Sequence, residues 1–409
     1  MGAKYVGNGV VLWPMTKNTI IVTCAPHTST FLAEELRELG FPVLAEHPLD
    51  VETEGTLDDC LRLNLYLRTA HRVHYLLSAF RAYQTDQLYR KVKQVVWEDY
   101  IPADSYLSVT SFVRTPSVRD HRFANVRVKD AVVDRLQDHY GRRPDSGPRT
   151  DRIVLFLYWK ETHAQLYLDT SGESLTRHGY RQVSVEAPMQ ESLAAVLIRA
   201  SAWQPAQPFV NPMCGSGTLA IEAALRRINR PPGLLRTNYA FMHLKTFGPA
   251  RWEALLEEAR QAKVNDATDL PAIVATDNDP EAIAAARQNA EAAGVDHLIR
   301  FEVTDFQQTP VPPAEESASA AGKPVAGKPV IMVNPPYGSR LGEEEELTKL
   351  YAALGDFFKQ HGAGYHGYIF TGNLALAKHV GLRTKSRTEL YNGKIESRLL
   401  EYILYTGTR

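Results

Sequence analysis

The residues with the most specific chemistry stand in VNPPYG, residues 333–338, directly after the short apolar run VIMV. Pro335 and Pro336 restrict the backbone, so the side-chain oxygen of Asn334 and the carbonyl oxygen of Pro335 can form a rigid pair of acceptors. Such a pair suits methylation of an exocyclic amine, because gripping both amino hydrogens draws the nitrogen towards a tetrahedral, nucleophilic state in line with a sulfonium methyl group. Tyr337 offers an aromatic face for an extruded base. The alternative is a proline-rich strand end with no chemistry.

A second polar loop, NPMCGSGT at 211–218, also follows a short apolar run. Gly215 and Gly217 let the backbone approach a ligand closely, and a helix beginning near Thr218 presents unpaired N–H groups. This pattern is typical of a nucleotide-type cofactor turn, although a G-x-G alone is often only a tight turn. Ala220 replaces the third glycine of a dinucleotide fingerprint, and no phosphate-loop lysine follows. The candidate cofactor residues here are Asn211, Pro212, Cys214, Gly215, Gly217 and Thr218.

Two carboxylates end the next two apolar runs. Asp277 closes AIVATD and can accept hydrogen bonds from both ribose hydroxyls of a nucleoside, whereas Asp279 is better explained as a helix N-cap before Pro280. Asp305 follows LIRFEV, where its oxygens could accept from an adenine amino group. The predicted cofactor site is completed by Asn278, Phe306 and Asn334.

These loops need a sheet to bring them together. From residue 207 onward, short apolar runs alternate with helical segments, which predicts an α/β, Rossmann-like, mostly parallel seven-stranded sheet. The ligand site of such a sheet lies outside the carboxyl ends of its strands. The runs lie at 208–210, 272–275, 298–303, 330–333, 367–370 and 399–405. The segment 310–330 is rich in Pro, Ala, Ser and Gly, and we interpret it as a flexible insertion.

The N-terminal part predicts mixed α/β structure to about residue 170. Residues 19–25 have the pattern of a strand, and FLAEELRELG has that of a helix closed by Gly40. We predict one amphipathic helix at 57–77, another at 89–97, and a strand in SYLSVTSFV. The stretch 119–149 predicts a helix with a basic face and loop, for which a solvated surface is the more common explanation.

Composition sets outer bounds. A chain of 409 residues predicts two or three domains, and its net charge of -1 means that any nucleic-acid surface must be a local patch. The three cysteines stand far apart, which argues against a disulfide framework or a zinc site. We expect no metal, no membrane segment and a cytoplasmic location, and the sequence leaves the oligomeric state open.

The glycine loop, TDND and NPPYG, in that order, resemble the class I methyltransferases of the (D/N)PPY type that methylate amino groups. RVKDAVVDRL, LDTSGESLTRHGYR and APMQESLAAVLIRASAW resemble the THUMP-containing enzymes that methylate guanine N2 of large-subunit ribosomal RNA. The resemblance implies S-adenosylmethionine as cofactor and 23S ribosomal RNA, or a pre-50S particle, as partner. It also implies a ferredoxin-like segment at 1–59, a THUMP RNA-binding domain at 60–171 and a methyltransferase domain at 185–409.

Two residues depart from the family pattern. Asn211 stands where the family usually has aspartate, and His178 where it usually has arginine. We place Asn334, Pro335, Pro336 and Tyr337 at the target base. The candidate RNA-contacting residues are Arg119, Arg122, Lys129, Arg177, Tyr180 and Arg181.

Other functions remain open at this stage. NPPY sites also serve adenine N6 in DNA, protein glutamine amides and guanine N2 in transfer RNA, and a non-catalytic RNA-binding assembly factor could keep the fold. An oxidoreductase fits less well without a G-x-G-x-x-G motif.

Overall fold

The computed structural model describes residues 16–184, 188–262, 264, 270–314, 327–338 and 344–405. The chain divides into two compact units. Unit 1 contains the described residues of 16–24, 32–175 and 236–258, and unit 2 those of 25–31, 176–235 and 259–405. The stretch 236–258 therefore packs within unit 1, although it falls inside the predicted catalytic domain of 185–409. Most of the predicted flexible insertion lies outside the described residues.

Unit 1 contains an eight-stranded sheet in the order β2-β3-β1-β4-β8-β7-β5-β6. Neighbouring strands are antiparallel except that β5 runs parallel to both β6 and β7. The strands are β1 Asn18–Thr23, β2 Ala45–His47, β3 Asp50–Gly55, β4 Arg72–Arg81, β5 Tyr106–Arg114, β6 Asp145–Ser146, β7 Ile153–Lys160 and β8 His163–Asp169. The helices of the N-terminal half are α1 Ser29–Glu38, α2 Leu57–Tyr66, α3 Thr85–Lys93 and α4 His121–Tyr140.

The prediction of one helix over 57–77 is wrong in its second half. Thr56 and Asp59 form a capping box that starts α2, but α2 ends at Tyr66 and β4 begins at Arg72. Strand β4 lies between β1 and β8, so pairing on both edges outweighs the helical spacing of its apolar residues. The strand predicted at 19–25 and the helix that follows it are confirmed as β1 and α1.

The LDTSGESL motif forms a buried turn at the end of β8. Asp169 is 2% exposed, accepts hydrogen bonds from the backbone N–H groups of Ser171 and Gly172, and pairs with the Arg72 guanidinium at 2.5 Å. Gly172 has φ +77°, and a Cβ there would lie 2.8 Å from the carbonyl oxygen of Thr150. This motif is therefore explained by the architecture of unit 1.

Unit 2 contains a seven-stranded sheet in the order β11-β10-β9-β12-β13-β15-β14, which confirms the predicted α/β class. Strands β9 to β13 are parallel, and β15 is antiparallel to both of its neighbours. The strands are β9 Phe209–Pro212, β10 Ile273–Asp277, β11 Ile299–Val303, β12 Val330–Val333, β13 His366–Thr371, β14 Ser386–Asn392 and β15 Ile395–Ile403. The helices of the C-terminal half are α5 Glu191–Ala200, α6 Thr218–Arg227, α7 Pro249–Gln261, α8 Pro280–Ala293, α9 Glu344–His361 and α10 Leu374–Ala377.

Alternating side chains bury both faces of this sheet. Phe209 and Met332 belong to one apolar cluster, and Val210 and Val333, their neighbours in sequence, belong to the cluster on the other face. Such two-sided burial is typical of doubly wound parallel sheets. The strand order reverses between β9 and β12, which places the topological switch point, and hence the expected ligand crevice, at their carboxyl ends.

Candidate active site

A cavity of about 970 Å³ lies within unit 2 at this switch point. Its wall includes the glycine loop after β9, the NPPYG segment after β12 and the turn between β14 and β15. The lining residues used below are Asn211, Cys214, Thr218, Asn334, Tyr337 and Asn392. The structure therefore brings together two of the loops that the sequence singled out.

The NPPY segment leaves β12 with an acceptor on the cavity wall. The side-chain oxygen of Asn334 is buried and has no hydrogen-bond partner among the residues that the structure describes. Pro335 is buried and Pro336 is exposed. An unpaired buried acceptor costs stability, so this oxygen is explained best by a donor on a bound molecule.

Tyr337 is held from two sides. Its hydroxyl oxygen accepts a hydrogen bond of 2.6 Å from the side-chain amide of Asn392. A Cβ added at Gly372 would lie 3.2 Å from the Tyr337 ring and 2.7 Å from Ile395, so the missing side chain leaves the space in which these groups meet. The ring is thereby restricted before any substrate arrives.

Sequence reasoning missed Asn392. It ends β14 and is followed by Gly393, at φ +61°, before β15 begins at Ile395. An Asn-Gly pair between two strands is a strong signal for a tight hairpin turn. The signal was present, but SRTELYN contains no apolar run, so β14 was not among the predicted strands.

Asn211 uses the two ends of its amide differently. Its N–H₂ group donates to the carbonyl oxygen of Met332 at 2.9 Å, which ties β9 to β12. Its oxygen is buried and lacks a partner in the described part of the chain. A carboxylate could not donate to Met332, so asparagine at this position has a structural reason.

The glycine loop is fastened by Asp277. One carboxylate oxygen accepts from the N–H of Gly215 at 2.9 Å, and the other accepts from the N–H of Asp279 at 3.1 Å. Gly215 and Gly217 have φ of 54° and 82°, and a Cβ at Gly217 would come within 2.9 Å of Ala286 in α8. Asp277 thus holds the glycine loop in position through its hydrogen bond from Gly215, and its contact with ribose is a separate prediction.

Cys214 lies in the same loop. Burial raises the pKa of its thiol far above its usual value, and the Asp277 carboxylate adds to that rise. The thiol stays protonated at neutral pH, which suits a packing group rather than a nucleophile.

The remaining predicted cofactor residues lie at the ends of β10 and β11. Asp305 caps a 3-10 turn by accepting from the N–H of Gln307 at 2.9 Å, and Phe306 packs edge-to-face on Phe357 at 6.1 Å. Asn278 is exposed. The lining residues of the cavity do not include Asp277, Asn278, Asp305 or Phe306, so their cofactor role stays a prediction.

Two of the predicted RNA-contacting residues are corrected. Tyr180 is 1% exposed and belongs to the core of unit 2, so its ring is not available to RNA. Arg181 pairs with Glu191 at 3.2 Å and donates to the hydroxyl oxygen of Thr218 at 3.1 Å, so it fastens the start of α6. Next to them, His178 and Glu222 form a buried pair at 2.7 Å, and both have exposures of about 1%. The LTRHGYR segment is therefore internal structure at these positions.

The other predicted RNA-contacting residues are accessible to different degrees. Arg119 and Arg177 are exposed. Arg122 has a side chain that is 81% exposed but pairs with Asp120 at 2.7 Å, and Lys129 is 29% exposed and pairs with Asp130 at 3.1 Å. Among the described residues, no group of three or more His, Cys, Asp or Glu side chains could hold a metal ion. Within the same ranges, the helices are too short or too polar to cross a bilayer.

Three family models match this chain. The strand order of unit 2 and its two loops at the switch point define a class I, S-adenosylmethionine-dependent methyltransferase fold. Residues 178–401 match the family described as RMKL-like, methyltransferase domain, and the chain belongs to this family. Residues 19–74 match the RlmL ferredoxin-like domain, and residues 82–169 match the THUMP domain.

Similar proteins carry related names. A ribosomal RNA large subunit methyltransferase K/L of Syntrophotalea carbinolica is 40% identical over 91% of this chain, and the chain spans 51% of that relative. A putative RNA methyltransferase of Synechocystis is 33% identical over 95% of this chain and 98% of its own length. The chain thus spans about half the length of the K/L relatives. The crystal structure of a putative methyltransferase complexed with SAH has a TM-score of 0.82 at 26% identity and covers 96% of this chain and 99% of its own.

Proposed function

We propose that this protein transfers a methyl group from S-adenosylmethionine to the exocyclic N2 amine of a guanine in 23S ribosomal RNA. The observation that carries the chemistry is the buried, unpaired side-chain oxygen of Asn334 on the cavity wall, beside a fixed Tyr337. The base and the RNA are supported by the names of the relatives and by the THUMP match.

The residues of the cavity fit a cofactor with a positively charged amino group. The oxygen of Asn211 is the second unpaired buried acceptor on the same wall. An ammonium group can donate a charge-assisted hydrogen bond to such an oxygen. The N-terminus of α6 at Thr218 also lines the cavity, and its free N–H groups suit the cofactor's carboxylate. S-adenosylmethionine supplies the methyl electrophile when it is bound.

The protein's own contribution is to hold the target amine. The nitrogen lone pair of guanine N2 is delocalised into the base, so the amine is a poor nucleophile. The side-chain oxygen of Asn334 and the carbonyl oxygen of Pro335 accept hydrogen bonds from the two N–H bonds of the amine. These hydrogen bonds favour the tetrahedral nitrogen of the transition state. The ring of Tyr337 stacks on the base and keeps it extruded from the RNA helix. A strong general base is unnecessary because the proton becomes acidic once the methyl group has been transferred.

RNA capture is assigned to basic residues that are not among the residues lining the cavity. Arg119, Arg122 and Lys129 contact RNA phosphates without reading sequence, and Arg177 adds a further contact. The Asp120 and Asp130 partners weaken two of these contacts, so their effects should be small and sensitive to salt.

One experiment distinguishes the proposed substrate from the alternative substrates. Nucleosides from 23S ribosomal RNA, transfer RNA and DNA of a deletion strain are quantified by mass spectrometry, and the strain is complemented with wild type or with Asn334→Ala. We expect N2-methylguanosine to fall by one residue per 23S molecule and to return only with wild type.

A loss confined to transfer RNA or to DNA adenine would assign the same site to another substrate, and one structural relative is titled a predicted N6-adenine-specific DNA methylase. Recovery with Asn334→Ala would show that this acceptor is dispensable for the modification, as expected for a non-catalytic assembly factor. No change in any pool would overturn the proposal.

A further inference from the structure

Four basic residues stand side by side across the open end of the sheet in unit 1. Arg81 of β4 pairs in register with His163 of β8, His163 with Lys160 of β7, and Lys160 with Arg114 of β5. Directly opposed residues on adjacent strands point to the same face, so the four side chains form one row. All four are exposed.

Arg114 and Lys160 carry like charges directly opposite each other, and their repulsion costs stability. In the part of the chain that the structure describes, none of these four side chains has an ion pair. Glu161 is the acidic residue nearest in sequence, and it lies in the turn between β7 and β8. A row of three cationic side chains and one histidine, none of them in an ion pair within the described residues, indicates an anionic partner.

Two aromatic rings lie one step inward on the same face. Phe112 pairs in register with Tyr158, two residues before Arg114 and Lys160 along their strands. The rings are parallel within 12°, their centroids are 5.3 Å apart, and Phe112 is 48% exposed. Strand β6 pairs only with Tyr106 and Leu107 of β5, so within the described ranges no strand covers the outer side of Phe112.

We propose that this corner of unit 1 binds an unpaired RNA segment. A base stacks on the outer face of Phe112 and extends the existing Phe112–Tyr158 stack, while the basic row holds the phosphates on either side. Aromatic faces next to backbone-tracking basic groups are the features that bind single strands without sequence preference. We call this surface the stacking corner; it consists of Arg81, Phe112, Arg114, Tyr158, Lys160 and His163.

An RNA single strand explains both halves of the corner. An acidic protein segment would use the basic row but would leave the parallel rings without a matching group, and a duplex would offer phosphates but no unstacked base. The inference extends the proposed RNA substrate and is independent of methyl transfer. None of these six residues belongs to the cavity in unit 2.

The test measures RNA affinity of the full-length protein without S-adenosylmethionine. Fluorescence anisotropy compares a labelled 12-nucleotide oligouridine with a blunt RNA duplex of equal length. Phe112→Ala should weaken binding of the single strand by roughly five- to a hundredfold, as expected for one stacked base, and should hardly change duplex binding. Leu49→Ala, which removes a residue of 53% exposure elsewhere in unit 1, is the matched control.

Two further variants separate stacking and charge. Phe112→Trp should keep the affinity, and its indole fluorescence should be quenched when the single strand binds. Arg114→Ala with Lys160→Ala should lower the slope of log affinity against log salt by about 1.4, because each phosphate contact to a single strand contributes roughly 0.7. Lys91→Ala, on the exposed side of α3, controls for loss of charge.

The proposal is overturned if Phe112→Ala binds oligouridine as tightly as Leu49→Ala, or if it loses duplex affinity to the same extent. Unquenched Phe112→Trp at saturating RNA would also exclude stacking at this position. Circular dichroism of each variant checks folding. Since no cofactor is present, these results stand apart from the fate of the Asn334 mechanism.

Discussion

At the switch point of unit 2, the side chain that holds the glycine loop and the side chain that begins the NPPY segment use their oxygens in opposite ways. Both carboxylate oxygens of Asp277, at the end of β10, already accept backbone N–H groups, from Gly215 of the glycine loop and from Asp279. In the NPPY segment, the oxygen of Asn334 accepts from none of the described residues, and the polar contact of Tyr337 is to Asn392. Asp277 holds the glycine loop in place, whereas Asn334, like Asn211, presents an open acceptor to the cavity.

This difference separates groups that shape a site from groups that act in it. A side chain satisfied by the protein affects ligands through the position of the loop that it holds, whereas an unsatisfied one must find its partner on the ligand. Substitutions in the two loops should therefore differ in which quantity they change. The predictions below test that difference.

The largest effect is expected for Asn334→Ala. Its oxygen acts on the amino group chiefly in the transition state, so its loss should lower the single-turnover rate about a hundred- to a thousandfold, or roughly 2.7 to 4 kcal/mol, with little change in RNA or cofactor affinity. Rapid-quench methylation is measured together with binding of both ligands. A near wild-type rate would remove the acceptor from the mechanism, and an equal loss in affinity would make it a binding group.

Asp277→Ala should change affinity instead of rate. The carboxylate accepts from Gly215 and is the proposed ribose acceptor, and losing a charge-assisted acceptor costs about 1.5 to 3 kcal/mol, so S-adenosylmethionine should bind roughly ten- to a hundredfold more weakly. Calorimetry measures this affinity, and the saturated rate should stay close to that of wild type.

Asp277→Asn separates the two roles of this carboxylate. The amide keeps one acceptor for Gly215 but cannot accept from both ribose hydroxyls and Asp279 together. An affinity equal to that of wild type would leave Asp277 with the structural role alone.

The sequence predicted the loops better than their partners. Strand ends, the glycine turn and NPPY are local patterns, so the sequence places Asp277 and Asn334 correctly at the ends of β10 and β12, while their roles stay predictions. Asn392 acts on Tyr337 from 55 residues away, and only the pairing of β14 with β15 brings it there. Tyr180 is a prediction that failed for the same reason. A tyrosine beside arginines has the composition of an RNA contact, but tertiary packing buries its ring.

A smaller, shared effect is expected for Tyr337→Phe and Asn392→Ala. Each removes one end of the same 2.6 Å hydrogen bond and leaves the ring available for stacking. We expect each to lower the rate several-fold, about 1 kcal/mol, and the double variant to be no worse than either single one, because the shared contact is lost only once. Tyr337→Ala should be far more damaging, since it also removes the stacking face.

Single-turnover rates of wild type, Tyr337→Phe, Asn392→Ala and the double variant form the required double-mutant cycle. Additive losses would mean that Asn392 acts independently of the tyrosine. Tyr337→Phe as damaged as Tyr337→Ala would show that the hydroxyl, rather than the ring face, is what the reaction needs.

The smallest effect is expected for Asn211→Asp, which restores the residue usual in the family. A carboxylate adds a negative charge near the proposed position of the cofactor's ammonium group, so the affinity for S-adenosylmethionine should be unchanged or higher.

The same substitution removes the donor to Met332 and sets a carboxylate against that carbonyl oxygen, which should lower the free energy of unfolding by about 1 to 3 kcal/mol. Denaturant titration with and without cofactor resolves both quantities, because a ligand that binds the folded state raises the free energy of unfolding with the logarithm of its concentration relative to its Kd. Asn211→Ala serves as the control that loses the donor without gaining charge. Weaker cofactor binding by Asn211→Asp than by Asn211→Ala would mean that this wall faces a negative group, and the ammonium would have to be placed elsewhere in the cavity.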